Sequence, residues 1–330
     1  MSSIISSDGA LGPTYVEIFG PVFWGFCATL VLCGVSTLQG YLYFTRYNDR
    51  TGIQVVAGIM LFLDFLSMGL ICQSMYYYML PHYGSLGPLS AVTRELSVEC
   101  LISAIITFIS QMYFVYQLRI GESMLLKSGG RAAWVMIHMT IILGAASLAG
   151  GVGCVAIMFT HPHSILMNRN RAFIILAGIN KAFGAAADIV ATIAMCLFLT
   201  GAETGIKRTS SLLRSLIHLV INRGLLVTFA QILMLVLFFA STTHLYWLAV
   251  HINTTKLYVN TFFAMLNART SYLDTVSGPH ISMGGLSSAR SATVVHTASV
   301  DEVKKFSGMN HNSYTMDAIK VTTTSTVADI

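Results

Sequence analysis

Long apolar segments follow one another along most of the chain, and short polar segments separate them. A helix that crosses about 30 Å of hydrocarbon needs about 20 mostly apolar residues. Each apolar segment is too long and too continuous for a membrane barrel strand, which alternates in polarity over about 10 residues. The pattern predicts an all-α, integral membrane bundle of seven helices, with spans at Glu17–Phe44, Gly52–Met79, Leu96–Leu118, Ala132–Thr160, Phe173–Thr200, Leu216–Ser241 and His244–Ala268.

The seventh segment is the least apolar of these spans. It holds His251, Asn253, Lys256 and Asn260 near its middle. It is also flanked by Tyr246 and Trp247 on one side and by Arg269 on the other. Aromatic and basic residues at the two ends are typical of a helix anchored at both membrane surfaces. We therefore expect this segment to span the membrane as well.

The composition excludes several classes of protein. Of the 330 residues, 55% are hydrophobic and only 10% are charged. A soluble domain carries about 25% charged residues, so a soluble enzyme, a nucleic-acid-binding protein and a disordered chain are all disfavoured. The net charge of +5 is too small to indicate nucleic acid. The expected partner is the lipid bilayer of a multi-pass membrane protein, without distinction between the plasma membrane and internal membranes.

Basic residues indicate the orientation of the bundle. With the N-terminus outside, the inner loops hold eight lysines and arginines and the outer segments hold three. The inner set is Arg46, Arg50, Arg119, Lys127, Arg131, Lys207, Arg208 and Arg214, and the outer set is Arg94, Arg169 and Arg171. Because cytoplasmic loops are enriched in basic residues, this asymmetry predicts an outer N-terminus and a cytoplasmic C-terminus.

Three regions follow from this topology. Residues 1–16 form a short extracytoplasmic tail without the basic start or cleavage pattern of a signal peptide, so the first span is expected to be retained. Residues 17–269 form the seven-helix domain. Residues 270–330 are rich in serine and threonine and are predicted to be a disordered cytoplasmic tail.

Ionisable side chains at membrane depth are the main functional candidates. Asp64, Asp188 and Lys256 lie roughly 18 to 22 Å along their helices, close to the midplane. A charge there costs at least about 2.5 kcal/mol and normally faces a partner inside the bundle. We expect Lys256 to pair with Asp64, Asp188 or both, with Asn260 one turn away in the same network. Such a cluster could fix the helix register, bind a polar ligand, relay a proton or switch the bundle between two packings.

Two other charged residues in the spans are expected to lie closer to the membrane surfaces. Glu99 is expected near the outer end of its helix, and Arg223 is expected to extend its side chain toward the inner surface. Lys181 lies on the same helix face as Asp188 but two turns away, too far to bond it directly.

The sequence gives little support for disulfide bonds, metal binding or catalysis. All six cysteines fall inside predicted spans, so neither a disulfide framework nor a zinc site is expected. His161 and His163 are too few to hold a metal, and His244 and His251 are about 10 Å apart along one helix. We predict no catalytic residue, no metal, no cofactor and no enzymatic activity. A retinal Schiff base on Lys256 is a minor alternative that the surrounding residues do not support.

Small residues recur at four-residue spacing in the fourth and fifth segments. The stripes are Ala145, Ala149 and Gly153 in the fourth, and Gly178 with Ala182 and Ala187 with Ala191 in the fifth. Small side chains let helix backbones approach closely in lipid. We expect these stripes to pack within the bundle, and a homo-oligomer contact is the minor alternative.

Several short motifs recur together between residues 187 and 269, and they are Ala187-Asp188-Ile189, Thr204–Thr209, Asn222, Gly224-Leu225-Leu226, Lys256–Asn260 and Leu266–Arg269. With these motifs the chain resembles a fungal family of multi-span membrane proteins known as domain of unknown function 6534. The resemblance covers most of the chain through Arg269, is strongest over Ala187–Arg269 and is less specific at Gln111–Arg119 and around Asp64. It implies a membrane bundle and adds no activity. Arg223 departs from the small polar residue expected between Asn222 and Gly224, which implies irregular packing of the sixth helix at that point.

Two functions fit this architecture. Seven spans, an outer N-terminus and a serine- and threonine-rich inner tail favour a receptor-like or sensor protein, by analogy of fold alone. The alternative is a transporter of protons or small solutes. A transporter would favour inverted repeats and broken helices, but the sequence has no clear internal repeat and Pro21 is the one proline plainly inside a span.

Overall fold

The computed structural model describes residues 14–85, 87, 92–124, 130–162, 170–201, 207–241 and 244–268. Over these residues the chain forms seven α-helices and no strand. The helices are α1 (Tyr15–Arg46), α2 (Thr51–Met79), α3 (Arg94–Met124), α4 (Gly130–Thr160), α5 (Arg171–Gly201), α6 (Lys207–Ala240) and α7 (Tyr246–Asn267). The predicted disordered tail at 270–330 and most of the predicted N-terminal tail lie outside the described residues.

Each predicted apolar segment corresponds to one helix, and the helices are longer than the segments at some ends. The α6 helix begins at Lys207, whereas the apolar pattern begins at Leu216. The α3 helix continues to Met124, six residues past the apolar segment. A helix satisfies its own backbone hydrogen bonds whatever the polarity of its side chains, so it can continue beyond the apolar segment.

Six of the seven helices are long and apolar enough to cross a membrane, and they are α1 to α6. Large apolar side chains on these helices point away from the bundle; on α1, for example, Trp24, Val31 and Leu38 are exposed at seven-residue intervals. A soluble protein rarely exposes apolar surface on this scale. These helices therefore indicate a multi-pass membrane protein.

The α7 helix has no stretch as apolar as those of the other six helices, and it is also enclosed by other helices. Fifteen of its 22 residues are buried in the bundle. A helix enclosed by other helices does not need an apolar surface on every side, and its polar side chains can find protein partners. Its position at the centre explains both its lower hydropathy and its concentration of polar residues.

Consecutive helices run in alternating directions, and α1 and α7 run parallel to each other. Three asparagines of α7, spaced seven residues apart, donate from Nδ2 to backbone oxygens of α1. The bonds are Asn253 to Gly25 at 2.8 Å, Asn260 to Leu32 at 2.9 Å and Asn267 to Gln39 at 2.9 Å. A seven-residue interval is close to two helical turns, so all three side chains lie on one face. We call the end of the bundle where α1 begins the entry end and the opposite end the exit end.

Close approach of α4 and α5 depends on glycine. A Cβ atom on Gly150 would lie 2.9 Å from the backbone nitrogen of Asn180, and one on Gly153 would lie 2.9 Å from Leu176 Cδ1. The expected packing of small residues within the bundle is confirmed for Gly153, Ala187 and Ala191, whereas Ala145, Ala149 and Ala182 are exposed, so the prediction is wrong for those three. The alternative contact between copies of the chain stays a prediction.

Replacing Gly150 with alanine is expected to destabilise the bundle by about 1–3 kcal/mol, because the added methyl meets backbone atoms that cannot move independently. The matched control is Gly34→Ala in α1, where an added Cβ has no atom within 4 Å. The free energy of unfolding in detergent micelles measures both. Equal effects of the two substitutions would contradict the close approach of α4 and α5.

Candidate functional site

A fully buried ion pair joins α2 to α7. The Lys256 Nζ atom lies 2.7 Å from Asp64 Oδ1 and 2.7 Å from the Asp64 backbone oxygen, and both side chains have no solvent exposure. Ser36 of α1 donates a hydrogen bond of 2.6 Å to the other carboxylate oxygen. The charges are therefore satisfied by protein groups from three helices, as a buried pair requires. We call Ser36, Asp64 and Lys256 the α2–α7 lock.

Asn260 lies one turn after Lys256 and attaches that part of α7 to α1. Its Nδ2 atom donates to the backbone oxygens of Leu32 and Lys256, at 2.9 and 2.8 Å. It thus contacts the backbone of Lys256, and no bond joins it to the ammonium group. Asn260 supports the position of α7 beside the lock.

Asp188 of α5 belongs to a different network. Its Oδ2 atom accepts hydrogen bonds from Tyr258 Oη and, at 2.9 Å, from Gln231 Nε2, which also donates to Tyr258 Oη. Of the two expected partners, Asp64 pairs with Lys256 and Asp188 does not. Residues 256 and 258 are separated by about 200° around a helix, so Lys256 turns to α2 while Tyr258 turns to α5 and α6.

Arg223 of α6 is also buried, and the expectation that it extends to the inner surface is wrong. Its guanidinium donates a 2.5 Å hydrogen bond from Nη2 to Ser110 Oγ and a 3.4 Å bond from Nε to Thr261 Oγ1. The guanidinium carbon lies 3.5 Å from the centre of the Phe114 ring. Hydrogen bonds and a cation–π contact replace the hydration that the guanidinium would have at the membrane surface. The side chain of Arg223 is therefore accommodated inside the bundle, and α6 continues through this residue as one helix.

A second buried acid–base pair was not anticipated from the sequence. Glu99 of α3 has no solvent exposure, and its Oε2 lies 3.1 Å from His251 Nε2 on α7. Ser67 and Thr255 contact the other carboxylate oxygen at 3.3 and 3.5 Å. Cys100 Sγ lies 3.5 Å from the same His251 nitrogen.

A signal for this pair was present in the sequence. Glu99 is the fifth residue after the start of α3, and His251 is the fifth after the start of α7. Helices of odd number enter an alternating bundle from the same side, so the two residues share one height. Because α3 and α7 are far apart in the chain, spacing along a single helix, such as that of His244 and His251, does not reveal the pair.

A small cavity lies among α3 to α7 near the entry end. Its volume is about 40 Å³, which is room for a few water molecules. Its polar lining residues are Cys100, Cys154, Asn180, Lys181 and His251, and the others are apolar. Among the described residues, Lys181 has no hydrogen bond or ion pair. The α2–α7 lock does not line this cavity.

One region of the chain matches a known family. Residues 184–271 match the family described as a family of unknown function, DUF6534. The matched region includes the end of α5, all of α6 and α7, and the side chains of Asp188, Lys256 and Asn260. No curated protein and no solved structure matches the chain.

Removing the charge of Lys256 is expected to leave Asp64 buried without its partner. We expect Lys256→Met to lower the free energy of unfolding by about 3–5 kcal/mol, and the double variant Lys256→Met/Asp64→Asn to recover most of that loss. Chemical unfolding in detergent micelles gives both values.

The control for this experiment is Lys181→Met, which removes a lysine that makes no ion pair among the described residues. It is expected to change stability by less than about 1 kcal/mol. If Lys256→Met and Lys181→Met had similar effects, or if the double variant were no more stable than Lys256→Met, the ion pair would not hold α2 to α7.

Proposed function

We propose that this member of the DUF6534 family is a receptor-like sensor with seven membrane spans, an outer N-terminus and a cytoplasmic C-terminus. The proposal assigns it no catalytic residue and no cofactor. Its partners in this proposal are the lipid bilayer and a small ligand at the outer, entry end. The family match carries no activity, so the proposal is supported by the geometry of the bundle.

Two observations support the seventh span and the orientation. The parallel contact of α1 and α7 puts residues 14 and 268 at opposite ends of the bundle, as an odd number of crossings requires. Arg46, Arg50 and Arg119 lie near the exit end and are exposed. Basic residues at that end favour a cytoplasmic location for it.

The observation that carries the sensor proposal is the position of α7 between the cavity and the lock. His251 lines the cavity and Lys256 forms the lock, and the two residues are about 7.5 Å apart along one continuous helix. A ligand that displaces α7 at the cavity changes the geometry of a buried ion pair whose energy depends steeply on distance. A two-state shift of α7 against α2 would then reach the cytoplasmic end.

The proposed orientation makes a prediction for chemical labelling. In a variant without native cysteines, a cysteine at Ser85 in the α2–α3 connection is expected to react with a membrane-impermeant maleimide on intact cells. A cysteine at Asn48 in the α1–α2 connection is expected to react only after permeabilisation. Both residues are exposed. Labelling of position 48 on intact cells would contradict the orientation.

The sensor role predicts that loss of the lock moves the exit end. We expect spin labels at Thr51 and Arg119, both exposed, to show a second distance in Lys256→Met/Asp64→Asn compared with the otherwise wild-type chain in nanodiscs. Pulsed electron–electron double resonance measures the distribution of distances between the two labels. Because this double variant removes both charges, no unpaired charge is left to unfold the bundle.

The Gly150→Ala variant controls for a loss of stability that leaves the lock intact, and it should keep the single distance. An unchanged distribution in the double variant would show that the ion pair only fixes the helix register, and the sensor proposal would fail. Proton uptake into proteoliposomes that disappears with Asp64→Asn would favour the transporter alternative.

A further inference from the structure

Three different metal-binding side chains converge where α3 meets α7. Glu99, Cys100 and His251 each offer one ligand atom, and these atoms all lie within 4.8 Å of one another. His251 Nε2 is the centre of the group, at 3.1 Å from Glu99 Oε2 and 3.5 Å from Cys100 Sγ. Glu99 and His251 are 0% and 4% exposed.

These distances fit a shared ion. In a tetrahedral site with metal–nitrogen and metal–oxygen bonds of about 2.0–2.1 Å and a metal–sulfur bond of about 2.3 Å, neighbouring ligand atoms lie roughly 3.3–3.6 Å apart. The two distances from His251 Nε2 are close to that range. Imidazole, thiolate and carboxylate together are a donor set that suits Zn²⁺ and related divalent transition ions.

The orientation of the histidine ring fits metal binding. His251 Nε2 faces both Glu99 and Cys100. His251 Nδ1 is buried and has no hydrogen-bond partner among the described residues. With its proton on Nδ1, a neutral imidazole presents the lone pair of Nε2 to an ion.

We propose that Glu99, Cys100 and His251 bind a divalent transition-metal ion of the Zn²⁺ class beside the entry-end cavity. Cys100 loses its thiol proton to solvent on binding, and the neutral imidazole keeps its single proton on Nδ1. The carboxylate and the thiolate balance the two positive charges, so the loaded site is neutral in an apolar interior. This proposal does not depend on the sensor role.

The cavity gives the site room for a fourth ligand. Cys100 and His251 both line it, and its volume of about 40 Å³ accommodates water. Three protein ligands and one open position are the arrangement of zinc sites that exchange a bound molecule. Ser67 and Thr255, which contact the second oxygen of Glu99, hold the carboxylate in place.

Lys181 lines the same cavity as Cys100 and His251. A protonated ammonium group at that position would oppose an incoming cation. Removing this charge with Lys181→Met should therefore strengthen metal binding. A site elsewhere on the chain would not respond to this substitution.

The test uses Co²⁺ as a spectroscopic probe on the full chain in detergent micelles. The expected result is one bound Co²⁺ per chain with a thiolate-to-metal charge-transfer band and the visible bands of a tetrahedral ion, both abolished when Zn²⁺ displaces it. Cys100→Ser is expected to remove the charge-transfer band, and His251→Gln to weaken binding at least about tenfold.

The matched control is Cys154→Ser, which removes a second thiol of the same cavity and should leave the spectrum unchanged. On the unmodified chain, Zn²⁺ should raise the melting temperature and EDTA should reverse the rise, which keeps the proposal testable if Cys100→Ser does not fold. Absence of a thiolate band in the wild type, or the same band in Cys100→Ser, would overturn the proposal.

Discussion

The bundle depends on one constraint, which is that the polar groups of α7 must find partners in a place without water. A membrane interior leaves an unpaired charge or amide several kcal/mol less stable than a paired one. The chain meets this constraint by surrounding α7 with helices, so that 15 of its 22 residues are buried. The polar residues then act as specific contacts, because each is stable in only one arrangement of neighbours.

The two buried cations show different solutions to this constraint. Lys256 is a compact ammonium group, and it is satisfied by one carboxylate and one backbone oxygen at short distances. Arg223 carries a delocalised, less strongly hydrated charge, and it is satisfied by hydroxyl groups and an aromatic face. Exchanging the two residue types would leave both sites poorly matched, since a planar guanidinium suits the ring of Phe114 and a compact ammonium suits the carboxylate of Asp64.

The sequence predicted the seven helices because apolar length is a property of each segment alone. It also predicted that Lys256 meets a buried carboxylate, since depth along a helix can be counted. It could not decide between Asp64 and Asp188, because that choice depends on the rotation of α7 about its axis. The pair of Glu99 and His251 was not predicted for a related reason. Their contact requires two helices that are far apart in the chain to place these residues at the same depth in the bundle. The seven-residue spacing of Asn253, Asn260 and Asn267 is present in the sequence, but it does not identify α1 as the helix that they contact.

The same contacts limit how the bundle can move. The three asparagine bonds fix α7 to α1 at equal intervals over 14 residues, so sliding one helix along the other would break all three together. By contrast, the contacts of α7 with α2 and α3 include two pairs of titratable side chains, the lock and the pair of Glu99 and His251. A change in charge at either place acts on the face of α7 that is not tied to α1. The geometry therefore favours α1 and α7 moving as one unit against α2 and α3.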